Sequence, residues 1–170
     1  MTWAGRYDVD ELALGLDVGR RRQDWNVAEG NRDAKGLRCT YEQGVALHVM
    51  GALGELAVKK TWELDWEPVW DRLDKTRPDV GNLHVRACLP ALGLRGRLRI
   101  ERDDVDDAPF VLVVLDGRRG YRIAGWLRGR RGKERWCYFT NYGNQRRPGA
   151  YFLPEGLLCP PWTCPVEAAP

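Results

Sequence analysis

The chain has 170 residues and 19.4 kDa, which suits one domain with a sizeable core. Hydrophobic residues make up 44% and charged residues 30%, as in an ordinary globular protein, and no stretch is long and apolar enough to span a membrane. The formal net charge is only +3, so bulk charge says little about partners.

The N-terminus MTWAGRYDVDEL carries acids and lacks an apolar run, so no signal peptide is expected. Residues 8–25 read as a helix with Leu12, Leu14 and Leu16 and a basic end. Residues 26–40 read as a loop rich in Asn, Asp and Gly. Residues 41–61 give the clearest helix, with Val45, Val49, Met50, Leu53 and Leu56 at helical steps. Its glycines, 44, 51 and 54, cost about 1 kcal/mol each in helicity, tolerable where another element packs closely. Strands are expected at 67–71, 82–88, 96–102, 109–115 and 120–127, then at 150–154. The run 109–115 is apolar throughout, as in a central strand, and GRRG at 117–120 should turn it into the next. A short helix or loop follows at 128–137. These elements predict an α/β (α+β) domain, a mixed sheet flanked by helices, over residues 1–158. Residues 159–170 form a C-terminal tail, disordered at PVEAAP. The five scattered cysteines are expected reduced, and the CPPWTC spacing does not suit a zinc knuckle.

Charge is segregated along the chain. Residues 117–147 hold nine arginines and Lys133 against Glu134 alone, whereas ERDDVDD at 101–107 is acidic. Arg128, Arg130, Arg131, Lys133 and Arg135 interleave with Trp126, Trp136, Tyr138 and Tyr142. Arg on phosphate with aromatic stacking on bases is the chemistry of single-strand binding. Arg20 and Arg21, with Arg22, form a second candidate patch. The alternative is a solvated basic surface balanced by the acidic turn. That turn lacks the glycine and terminal Glu of an EF-hand loop.

The stretch TRPDVGNLHVRA at 76–87 has the outline of a phosphodiesterase core. Hydrolysis of a phosphodiester uses a divalent cation to polarise phosphate and acidify water. Glu55 on the preceding helix and Asp79 after Pro78 would hold Mg2+ or Mn2+, and His84 and Arg86, one residue apart, would share a strand face. Imidazole at 84 would favour manganese, and Arg86 can stabilise phosphate but not act as a base. The plainer alternative has Asp79 capping a turn, Glu55 paired with an arginine and His84 on the surface.

The order of these groups resembles the PD-(D/E)XK nuclease superfamily, with His84 where an acid stands and Arg86 where lysine stands. GALGELAVKK, PDVGNLHVRA, ERDDVDDAPFVLVV, IAGWLRG and AYFLP together resemble a family encoded by tailed bacteriophages and prophages, over roughly residues 15–158. The resemblance implies a restriction-endonuclease-like fold and a role in phage nucleic-acid metabolism, in the host-cell cytoplasm or the virion. Three functions follow as expectations. The first is a metal-dependent DNA nuclease using Glu55, Asp79, His84 and Arg86. The second is a non-catalytic nucleic-acid-binding protein. The third is a module for a host or phage protein partner, such as a host-defence inhibitor or virion component.

Overall fold

The computed structural model describes residues 3–30, 39–71, 74, 76–90, 96–134, 139–140 and 149–166. Two capped helices come first after a short strand, β1 (Ala4–Arg6). Helix α1 (Val9–Ala28) starts at Asp8, whose carboxylate accepts from the Glu11 amide while Glu11 reaches back to the Asp8 amide. Helix α2 (Tyr41–Trp62) starts with the same reciprocal cap between Thr40 and Gln43. Each box satisfies two amides that lack a helical partner. Helix α1 runs to Ala28, so Asn26–Ala28 are helical and not loop as the sequence suggested.

Gly15 faces Leu53, Gly19 faces Val49 and Gly44 faces Gln23, so the two helices run antiparallel. A Cβ on Gly19 would stand 2.7 Å from the Val49 amide nitrogen, an approach only glycine permits. On its other side α2 packs against the sheet at Gly54, where an added Cβ would meet the Ala87 Cβ at 2.7 Å. The expected role of Gly44 and Gly54 as close-packing positions holds.

The main sheet has the order β1-β5-β4-β2, built with β2 (His84–Cys88), β4 (Pro109–Leu115) and β5 (Gly120–Arg128). Strand β2 runs parallel to β4, and the other pairs are antiparallel. Every residue of β4 is buried, as its unbroken apolar run predicts. Its odd residues Val111, Val113 and Leu115 join Leu56, Ala57 and Val58 of α2 in one core. Its even residues Phe110, Leu112 and Val114 join a second core on the opposite face. That second core is closed by a small sheet of β3 (Arg97–Glu101), β7 (Ala150–Pro154) and β6 (Phe139–Thr140). The layers are therefore helical hairpin, mixed sheet, small sheet. The mixed α+β class expected from the sequence is the one observed.

The turn between β4 and β5 uses Gly117 at φ 77°, and the Asp116 carboxylate accepts from the Arg118 and Gly120 amides. Those amides hold the Asp116 carboxyl below the usual carboxylate range. A bulge shifts the register between Leu112 and Val113, leaving Ala124 unmatched. Helix α3 (Gly129–Glu134) follows β5 directly.

Two expectations are corrected. Residues 67–71 are not a strand: Pro68 lacks an amide for a ladder, and the Val69 carbonyl accepts from Arg22 Nε at 2.8 Å instead. The tail is docked as far as Val166. Cys159 exchanges backbone hydrogen bonds with Trp126, Asn82 donates to the Pro165 carbonyl, and Cys164 and Val166 pack on the helix-side core. Residues 167–170 lie outside the described residues. Among the described residues no helix is long and apolar enough to cross a membrane.

Candidate functional site

Positions 18, 22, 25 and 26 of α1 share one helical face, so the side chains of Arg22, Trp25 and Asn26 leave α1 together. They meet His48 and Glu55 of α2, Trp70 from the connection after α2, and Asp79 ahead of β2. These seven residues line a pocket of about 190 Å³. Arg22 is its spine. Nη1 and Nη2 donate to the two Glu55 oxygens at 2.9 Å each, while Nε holds the Val69 carbonyl. Trp66 Nε1 adds a third donor to Glu55, at 2.9 Å. Both side chains are nearly buried, 11% exposed for Arg22 and 6% for Glu55. Such a pair persists because two parallel hydrogen bonds and further donors offset the loss of water.

Asn26 Nδ2 lies 2.8 Å from His48 Nε2. An amide nitrogen only donates, so this contact requires His48 Nε2 as acceptor and the neutral ring. Arg21 stands over Trp70, its guanidinium 5.1 Å from the ring centre, and pairs with Asp17 at 2.9 Å.

Asp79 caps the entry to β2. Its amide donates to the Leu83 carbonyl, and its Oδ2 accepts from the Val85 amide at 2.6 Å. Asp79→Ala should therefore lower stability by about 1–3 kcal/mol, because the Val85 amide loses its partner. Urea unfolding checks this, and a loss below about 0.5 kcal/mol would contradict the capping role.

Four residues were expected to form one site, and the sheet divides them. Glu55 and Asp79 share the pocket on the helical face. His84 and Arg86 do share a face, as their spacing requires, but it is the opposite one. His84, 3% exposed, stacks on Phe110 with centroids 4.8 Å apart. It is a core residue and not a surface histidine. The Arg86 guanidinium lies 5.0 Å from the same ring, and its Nη2 donates to both Asp104 oxygens at 2.9 and 3.0 Å. It is Val85 and Ala87 that face α2.

The donors at Glu55 and Asp79 do not fit Mg2+ or Mn2+ as arranged. A hard cation needs oxygens open to it, and the Arg22 guanidinium occupies the Glu55 carboxylate with its own positive charge. Among the described residues no three His, Cys, Asp or Glu side chains cluster to hold a metal. Cys88, Cys159 and Cys164 are free thiols, and burial pushes the Cys164 thiol up to about 12.

The basic segment meets the acidic turn in space. Arg128 donates to the Asp107 carbonyl, Arg130 pairs with Asp107 at 3.0 Å, and Lys133 reaches Asp106 at 2.6 Å and the Asp104 carbonyl. The Lys133 ammonium holds the Asp106 carboxyl below its ordinary range. Arg131 sits 3.5 Å from Glu134 and is largely exposed. Asp104 is not in a solvated turn. Its side chain is 2% exposed and also accepts from the Glu101 amide. Trp126 donates to Thr163 and packs on the core. Arg135, Trp136, Tyr138 and Tyr142 lie outside the described residues. Arg20 is exposed on a face of α1 turned away from Arg22.

Sequence reasoning missed Trp25, Asn26, His48 and Trp70 as lining residues. The signal available was the helical spacing that puts 22, 25 and 26 on one face. Comparison with protein-family models, with curated proteins and with solved structures gives no match.

Proposed function

We propose that this chain is a non-catalytic nucleic-acid-binding protein that takes one unpaired base into the pocket between α1 and α2. The observation that carries this reading is a pocket lined by Trp25 and Trp70, with the Arg21 guanidinium over the Trp70 ring and the buried charges of Arg22 and Glu55 paired with each other. A volume of about 190 Å³ suits one small flat group. Sites for drug-sized ligands run to roughly 300–1,000 Å³. A free cation would meet the Arg21 guanidinium over Trp70, and a free anion would meet the Asp79 carboxylate that lines the pocket. A neutral base avoids both penalties, while its phosphate can draw Arg21 away from Asp17, an exposed pair of little strength. On this reading the phage resemblance assigns the binder to phage nucleic-acid metabolism in the host cytoplasm. Hydrolysis is not part of the proposal, because Glu55 and Asp79 are separated by the sheet from His84 and Arg86.

The test is anisotropy of labelled single-stranded DNA with wild-type protein and Trp70→Ala over a range of salt. Trp70 is 42% exposed, so its truncation should spare the core. Loss of one stacked base is worth about 1–3 kcal/mol, so affinity should fall between about fivefold and more than a hundredfold. Wild-type affinity should also fall as salt rises, through counterion release. Equal binding by the two proteins, or binding indifferent to salt, would overturn the proposal.

A further inference from the structure

We infer that α1 is the contact surface between two copies of this chain, which pair antiparallel through the outer face of that helix.

Helix α1 turns Arg22, Trp25 and Asn26 toward the pocket, and its opposite side carries a stripe of apolar surface. Val9, Ala13, Leu16, Arg20 and Val27 fall within about 60° of one another around the helix. All five are exposed, and Val9 and Val27 reach 64% and 60%. Tyr41 of α2 is exposed beside the later half of the stripe, where its hydroxyl donates to Asp24 at 2.6 Å.

The stripe is symmetric about Val18. In an antiparallel pair with its twofold axis at that level, residues equally far from position 18 face each other. Val9 then meets the second copy's Val27. Leu16 packs on the aliphatic stem of the second copy's Arg20. Tyr41, beside Asp24, comes over the small Ala13. A twofold contact makes each of these interactions twice.

The exposed charges select the same direction. Asp10 and Asp17 precede Val18, whereas Arg20 and Arg21 follow it, and Asp24 already accepts from Tyr41. Antiparallel pairing sets the acidic half of one copy against the basic half of the other, and Asp17 comes beside the second copy's Arg20. A parallel pair would oppose like charges. One helix pair lies at the low end of specific interfaces, roughly 1,200 Å² or less in total, so the dimer should be a micromolar one. The stripe and the pocket lie on opposite sides of α1, so pairing leaves both pockets uncovered.

The experiment is sedimentation velocity over the micromolar range on wild-type protein, Leu16→Arg, and Leu16→Arg combined with Arg20→Glu. Both positions are exposed, so the variants should fold as the wild type does, which circular dichroism checks. The wild type should pass from monomer to dimer as concentration rises. Leu16→Arg sets like charges against each other at two symmetric places and should weaken the dimer at least about tenfold. Adding Arg20→Glu makes both places opposite-charge pairs and should recover most of that loss. A wild-type chain that stays monomeric to about 100 µM would overturn the inference. So would a dimer indifferent to Leu16→Arg, or one that the double variant fails to restore.

Discussion

Arg22→Ala should destabilise the protein by about 3–5 kcal/mol, because it leaves the Glu55 carboxylate buried without its counter-charge. For a chain of this size that corresponds to a fall in Tm of roughly 6–20 °C, at about 2–4 °C per kcal/mol. One further loss accompanies it: the Val69 carbonyl loses its donor, and with it the connection carrying Trp66 and Trp70 loses this tie to α1. Replacing both charges by apolar residues of similar size, Arg22→Met with Glu55→Leu, should recover much of the loss, since no isolated charge then remains. Thermal and urea unfolding of the single and double variants measure this. A single-variant loss under 1 kcal/mol would mean that Glu55 finds water or another donor, and the saturated carboxylate described here would be wrong.

The second large effect is expected at Phe110. It is fully buried at the centre of the core between the two sheets, under the rings and guanidinium of His84 and Arg86. Phe110→Ala should cost about 3–5 kcal/mol from lost transfer energy and the remaining cavity. The same change should loosen His84 and Arg86 and leave the pocket on the other face formed. Chemical denaturation gives the first number. The response of the His84 ring resonances by NMR gives the second. Unchanged His84 resonances would contradict its stacking on Phe110.

Much of the fold can be read from short-range chemistry. The caps Asp8–Glu11 and Thr40–Gln43, the apolar run 109–115 and the glycine turn at 117–120 each act through neighbours in the chain. The site was harder to read. One-residue spacing correctly puts His84 and Arg86 on one face of β2, but spacing alone does not say which face meets α2. The strand is covered on both sides, so His84 and Val85 are both buried and the pattern is ambiguous. An arginine partner for Glu55 was only the plainer alternative to its role as a metal ligand. Arg22, 33 residues away, is identified only by the antiparallel crossing of the helices. The three-residue β1 is too short to show periodicity, and it exists because β5 offers it an edge.

The segregated charges carry a different lesson. Strands β4 and β5 pair Pro109 with Arg128, so the residues just before β4 and just after β5 must meet. The acidic turn at 103–107 and the basic residues at 128–133 flank that pair on either side. The charge blocks that suggested a polyanion surface thus engage one another.

The central claim is that nucleic acid binds through the pocket on the helical face. It is tested most directly by photo-crosslinking the protein to a single-stranded oligonucleotide carrying 5-iododeoxycytidine, with the attachment site located by mass spectrometry. Attachment at Trp25 or Trp70 is the expected result. Attachment in the segment that follows Arg128, with none at either tryptophan, would contradict the account and return the interface to the basic segment.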